Sequence, residues 1–416
     1  MSRRNDTVRR ETLTVGHGYD PATANGAAKP PAYLTSTFVY PSAQAAKDLH
    51  VAFFDGVDNG AGGHIYGRLG HPNLDMVEAR LAALDGAEAS AAFATGMAAI
   101  TAVLLTQLSP GDTLVHCRPI YGGTDAFVHQ ELPRFGIRAF GFSDGTDRES
   151  IEAAADAAIA AGPVGLVWAE TPANPTAAVT DIALLAAVAD DIGRRQVRRP
   201  LVGIDNTFLG PFVQSPLAHG ADLCMTSLTK YAGGHSDLLA GGVSGGADVI
   251  ARLKMFRTLV GSTLDAHTSW LLLRSFETMH LRTERAAQNA LAVATFLRDH
   301  PKVASVTYLG FLPAGTRARA AFERQCSGAG STFSFRIRGG EAEAFRMLDR
   351  LRVLRMAVSL GGTETLICHP ASTTHYAVPK ERREAAGIDD ATLRLSVGIE
   401  HVDDLIADLG AALEAI

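Results

Sequence analysis

Asp205 and Lys230 each follow a short apolar run, Leu201–Ile204 and Leu223–Thr226. With Asn206, Ser227 and Thr229 they form polar clusters at what read as neighbouring strand ends. Glu170 to Asn174 follow a third such run, Gly165–Ala169. In an open α/β sheet, ligands collect beyond the carboxyl ends of the strands. A lysine and a carboxylate placed there suit an aldehyde cofactor with a basic ring nitrogen. The amine forms an imine, and the carboxylate keeps the ring protonated so that it accepts electrons. That is the chemistry of pyridoxal 5′-phosphate (PLP). The amine must be partly neutral to attack, which desolvation or a nearby cation arranges. Gly96-Met97 at a helix start, with Ser227 and Thr229, offer N–H groups and hydroxyls to a phosphate. Singly, such an Asp is more often a cap and such a Lys a surface residue; the pair is what points to the cofactor.

Other motifs compete. Ser227-Leu228-Thr229-Lys230 matches Ser-x-x-Lys, but the companion Ser-Asp-Asn and Lys-Thr-Gly are absent. Gly242-Val243-Ser244-Gly245-Gly246 matches a nucleophile elbow, yet it lies in a glycine-rich run without the strand–turn–helix setting, and chance accounts for it. There is no Gly-x-Gly-x-x-Gly, no phosphate loop ending in Lys-Ser/Thr and no His-Glu-x-x-His. His64, His71, His235, His369 and His375 are scattered, so no metal is expected.

The elements that must position these residues alternate. Helices are expected after Gly96 and over Gly122–Leu132, Arg148–Ala161 and Ile182–Ile192, the last capped by Asp181. Between them, Thr113–Cys117, Ile137–Phe142, Gly165–Ala169, Leu201–Ile204 and Leu223–Thr226 read as strands. Short apolar strands between helices imply an α/β fold with a mostly parallel sheet covered on both faces. Beyond about residue 270, strands at Ser305–Tyr308, Thr332–Ile337 and Leu393–Val397 mix with helices at Glu341–Leu351 and Val402–Leu413, which reads as a smaller C-terminal α/β domain. The first seventy residues read as irregular, too long for an idle loop, and suited to wrapping a neighbour. Order is expected from Asn73, as a helix cap, to Gly86. The expected division is therefore an arm over 1–70, a cofactor-binding domain over 71–270 and a second domain over 271–416.

Composition sets limits. The 416 residues are 47% hydrophobic and 20% charged, with net charge −6, which does not suit unspecific binding to nucleic acid or anionic lipid. Arg3, Arg4, Arg9 and Arg10 are interrupted by Asp6 and read as a surface arm. The uncharged stretch Ala89–Pro110 holds Gly96 and several hydroxyls, and reads as a buried helix preceded by a glycine turn, not a membrane span. Cys117, Cys224, Cys326 and Cys368 show no CxxC spacing, which suggests a reducing cytoplasm.

The motifs then become specific. Asp205-Asn206-Thr207 and Ser227 to Asp237 closely resemble the trans-sulfuration, or Cys/Met-metabolism, family of PLP enzymes, as do Tyr66-Gly67-Arg68, Ala94 to Ala99, Tyr121 to Thr124, Glu170 to Pro175, Ser359 to Gly362, Glu364 to Leu366, His369 to His375 and Arg394 to Gly398. The resemblance implies PLP fold type I, the aspartate-aminotransferase-like fold, and a homotetramer of two active dimers acting on a small amino acid. It implies that Lys230 holds PLP and moves protons, that Asp205 pairs with the ring nitrogen, and that Tyr121 stacks on the ring. Gly96, Met97, Ser227 and Thr229 are implied to hold the phosphate. Tyr66 and Arg68 are implied to reach the phosphate of the neighbouring subunit. Arg394, helped by Ser359 and Asn174, is implied to bind the substrate carboxylate.

The member within the family is less sharply marked. Cystathionine enzymes often carry Glu immediately before Ser-Leu-Gly-Gly; here it is Val358, which suits a methyl thioether, as in methionine γ-lyases. Those enzymes usually have Cys two positions after the stacking Tyr; here it is Gly123, as in cystathionine enzymes. The leading expectation is a carbon–sulfur lyase performing γ-elimination on methionine- or cystathionine-like substrates. The alternative is γ-replacement, as in cystathionine γ-synthases and O-acylhomoserine sulfhydrylases. A PLP-binding regulatory protein is the reading from another class; Tyr121, Asp205, Lys230 and Arg394 together argue against it.

Overall fold

The computed structural model describes residues 8–57 and 59–416. Arg3, Arg4 and Asp6 of the basic stretch, and Asp58, lie outside the described residues. Seven strands, β1 (Ala89–Phe93), β2 (Thr113–Cys117), β3 (Arg138–Phe142), β4 (Val164–Glu170), β5 (Leu201–Asp205), β6 (Leu223–Thr226) and β7 (Gly241–Gly245), form one sheet in the order β1-β7-β6-β5-β4-β2-β3. Only β7 runs against its neighbours. β2, β4 and β6 are buried throughout, as strands covered on both faces must be. The helices Arg148–Ala161 and Ile182–Arg195 pack together, and so do Gly96–Gln107 and Ala247–Val260. Asp147, Asp181 and Thr95 cap three of these helices by accepting from Ser150, Leu184 and Ala98 N–H groups, each cap worth about 1 kcal/mol.

A second sheet holds β8 (Val303–Thr307), β9 (Thr332–Ile337), β10 (Arg355–Met356), β11 (Leu366–Cys368) and β12 (Thr392–Ser396) in the order β10-β11-β12-β9-β8. Its core is built from Phe333, Phe335, Leu393 and Leu395 against Val293 and Leu297 of Met279–Asp299 and Leu405 and Leu409 of Val402–Leu413. The fold is thus a mostly parallel α/β sheet joined to a smaller, mainly antiparallel α/β unit.

Four sequence expectations are corrected. The first seventy residues are not all irregular: Ala43–Asp55 is a helix, capped by Ser42 and with no residue fully buried within this chain. The helix before β1 is Pro72–Asp85 and its cap is His71, whose Nδ1 accepts from Leu74 N–H. Asn73 lies inside that helix; its side chain accepts from Tyr33 N–H and donates to Pro31. The helix expected over Gly122–Leu132 runs only to Ala126, then widens into a π turn over Phe127–Glu131 and tightens into a 3₁₀ turn at Leu132–Phe135. Pro133 removes a ladder N–H there.

The fourth correction is the largest. Ala89–Phe93 is a strand, not part of a buried helix, and its partner β7 is the glycine-rich run. Glycine usually weakens a strand. Here a Cβ on Gly241 would stand 2.4 Å from Thr95 O, one on Gly242 2.4 Å from Leu81 Cδ2, and one on Gly245 2.7 Å from Asp222 O. The strand is bare because its neighbours close onto its backbone. Ser244 donates to buried Asp85 and is no nucleophile elbow.

Candidate active site

The carboxyl ends of β4, β5 and β6 open into a cavity of about 900 Å³, closed from the other side by the second sheet. Gly96, Met97, Tyr121, Asn174, Asp205, Ser227, Thr229, Lys230, Val358, Ser359 and Arg394 all line it. Three expected residues do not. Tyr66 and Arg68 stand apart, Arg68 donating to Thr258 O at 2.6 Å. Gly123 lies behind the Tyr121 ring, where a Cβ would come within 2.6 Å of Tyr121 Cε1.

Lys230 Nζ donates to Ser359 Oγ at 2.7 Å. Burial, and then the Arg394 cation, push its pKa down to about 8. The amine is therefore neutral in part near neutrality, as a nucleophile must be. Ser359 holds a left-handed backbone, φ +89, uncommon for a residue with a side chain. Its carbonyl accepts from Arg394 Nη2 at 2.7 Å, so one residue meets both cations.

Asp205 is buried and accepts from Thr207 N–H at 2.9 Å. Desolvation pushes its pKa up to about 6, against the Thr207 bonds. Among the described residues no ion pair compensates it. A cationic ring N–H would supply that compensation. A Cβ on Gly96 would stand 2.9 Å from Ser227 Oγ, so the helix start and the loop after β6 meet as one cradle. Thr95 takes the Ala98 N–H, and the N–H groups of Gly96 and Met97 have no partner inside the helix. Thr229 is pinned by exchange with Ala240 at 2.9 and 3.1 Å. An acceptor-rich anion fits this cradle, and the donor set as a whole fits PLP.

Arg394, on β12, is only 3% exposed. Nη1 donates to Asn174 Oδ1 at 3.1 Å, while Nε is buried without a partner. An unpaired buried guanidinium N–H is costly, and a substrate carboxylate would relieve it. Val358 is 54% exposed on the cavity side. Glu170 stands in a family-like motif without an expected part; its carboxylate accepts from Tyr121 and Asn174 N–H groups. Thr207 and Glu364 also line the cavity and were not singled out. The Asp that ends a strand and the Lys after the next could be found by spacing; a glutamate acting on backbone N–H groups leaves no such signal.

Gly123→Ala is expected to push the Tyr121 ring toward the cavity, its open side. Displacing a reacting group by about 1 Å costs on the order of 10²-fold. Turnover should fall accordingly while the melting temperature hardly moves; an unaltered kcat/KM would show that the ring has room after all.

A family model described as Cys/Met metabolism PLP-dependent enzyme matches residues 11–414. The chain is 38% identical over 408 residues to the L-methionine gamma-lyase of Pseudomonas putida, covering 97% of each. It is 36% identical over 410 residues to the cystathionine gamma-lyase of Bacillus subtilis (strain 168), covering 98% of this chain and 100% of that one. The solved cystathionine gamma synthase from Xanthomonas oryzae pv. oryzae in complex with cystathionine superposes with a TM-score of 0.87 at 36% identity, covering 98% of both chains.

Proposed function

The chain belongs to the Cys/Met metabolism family of PLP-dependent enzymes, and from that premise we propose a carbon–sulfur lyase that performs γ-elimination on methionine- or cystathionine-like amino acids, giving an α-keto acid and ammonia. One observation carries the choice of substrate: the apolar, half-exposed Val358 in the wall of the cavity that holds Lys230 and Arg394. Leu239, 62% exposed, lines the same cavity. Such a wall suits a thioether.

PLP, when bound, supplies a ring that takes up the electron pair left as substrate bonds break. The protein does the rest. Arg394 and Asn174 bind and orient the substrate carboxylate. Lys230 Nζ holds the cofactor at rest and, once freed, carries protons between Cα and Cβ of the substrate. Asp205 keeps a proton on the ring nitrogen. The Tyr121 hydroxyl takes a proton from the incoming amine or gives one to the departing sulfur. Gly96, Met97, Ser227 and Thr229 hold the phosphate.

The second reading is γ-replacement, supported by the synthase neighbour and by Glu364 in the cavity, which could meet a distal ammonium. A panel of methionine, cystathionine and O-acylhomoserines, the last with cysteine or sulfide, separates the two. Keto acid and ammonia from methionine or cystathionine are expected. No release from either would sink the lyase reading, and a yellow protein inert on the whole panel would favour the regulatory one.

We further propose the assembly and division read from sequence: an arm over 1–70, a cofactor domain over 71–270, a second domain over 271–416, in a homotetramer of two active dimers. Tyr66 and Arg68 lie outside their own cavity, and no residue of the Ala43–Asp55 helix is fully buried at home; both suit a neighbouring subunit. The cysteines, all free, suit a cytoplasmic location. Among the described residues no helix is long and apolar enough to cross a membrane.

A further inference from the structure

Glu170 is buried at the end of β4, and its Cα partner on β5 is Asp205. Two carboxylates therefore sit side by side out of water, which makes charging either of them costly. Desolvation, and then Asp205, push the Glu170 pKa well up. No salt bridge to Glu170 occurs among the described residues. What it does have is a pair of backbone donors. Tyr121 N–H reaches Oε1 at 2.6 Å and Asn174 N–H reaches Oε2 at 3.2 Å. The short helix Gly122–Ala126 receives no side-chain cap from Tyr121, the residue at its N-terminus; Glu170 supplies an acceptor there from another strand. On the far side, Asn174 Oδ1 accepts from Arg394.

We infer that Glu170 is a positioning residue that fixes Tyr121 relative to the Asn174–Arg394 clamp, by taking both backbone N–H groups on one carboxylate. A carboxylate is the one side-chain end with two acceptor oxygens and no donor. Glutamine would fill the same space but turn an NH₂ group toward one of the two donors. Aspartate would keep the charge but lose the reach to span both. A cation held by Asp205 offsets the second of the two causes that raise the Glu170 pKa and so favours its ionised, two-acceptor form; cofactor binding and this clasp support each other. The inference rests on the proposed parts of Tyr121 and Asn174 in cofactor and substrate binding.

Glu170→Gln and Glu170→Asp, each as apoprotein and holoenzyme, test it. The readouts are PLP affinity of the apoprotein by absorbance titration, KM and kcat on the best substrate of the panel, and apoprotein melting. For Glu170→Gln, a melting temperature close to the parent is expected, with PLP affinity weakened and KM raised about tenfold each, and kcat lowered too, since Tyr121 loses its fixed place. Glu170→Asp should not restore either. Parental PLP affinity and KM in Glu170→Gln would overturn the inference, and so would full recovery in Glu170→Asp, since charge alone would then suffice. If the parent protein proves inert on the panel, the lyase reading fails, and PLP affinity still decides this one.

Discussion

Lys230→Ala is expected to lower turnover about 10³-fold or more on every substrate of the panel, because one amine serves both to hold the cofactor and to carry protons, the second alone being worth roughly 10²–10⁴-fold. The fold should survive. Among the described residues the Lys230 side chain makes one hydrogen bond, to Ser359, and burying its charge is unfavourable, which the depressed pKa of about 8 records. Melting at or above the parental temperature is therefore expected alongside the lost activity. Lys230→Arg should be as inactive, since a guanidinium stays protonated at any working pH. Retention of a tenth of parental turnover in Lys230→Ala would remove the lysine from the reaction.

Arg394→Ala carries the second large effect. Truncating one partner of a buried, hydrogen-bonded charge pair costs about 2–5 kcal/mol. Substrate binding should thus weaken by roughly 30- to 5000-fold in kcat/KM, mostly through KM. Arg394→Lys should rescue little, because the clamp uses Nη1 on Asn174 and Nη2 on the Ser359 carbonyl together, and an ammonium has no such fork. A second consequence concerns pH. The amine of Lys230 is reactive when neutral, above its pKa of about 8. Arg394 helps to hold that value down, so its removal raises the pKa. PLP uptake by the apoprotein, followed against pH, should then have its midpoint moved upward in Arg394→Ala. A midpoint that stays put or falls would mean that the two cations do not feel each other.

Much of this was legible in the residues. The strand ends bearing Asp205 and Lys230 could be placed because fully buried strands write themselves as short apolar runs. The parts of Arg394, Tyr121 and Asn174 were not available that way; they came from family resemblance, since nothing in periodicity sets one buried arginine apart from another on a strand. β7 went unread as a strand for a physical reason. Glycine carries no hydrophobic signal, and the cause of its presence, the approach of Thr95, Leu81 and Asp222, lies far off in the chain. Glu170 stood in view at its strand end but without a part, because its bonds go to backbone, which every residue has. Ala43–Asp55 carries only a short stripe, Ala45, Leu49 and Phe53, half-buried in its own chain and set among turn-forming residues.

The bare strand β7 has one more consequence. It acts as a shim whose thickness is the main chain itself, setting the gap between β1 and β6 and holding the Thr95–Gly96 corner at its distance from Ser227. A variant library of this protein should therefore show two kinds of silence. Positions such as Val358 will accept or reject replacements according to which amino acid is offered as food. Gly241, Gly242 and Gly245 will reject nearly all of them whatever is offered, because what they specify is a spacing and not a substrate.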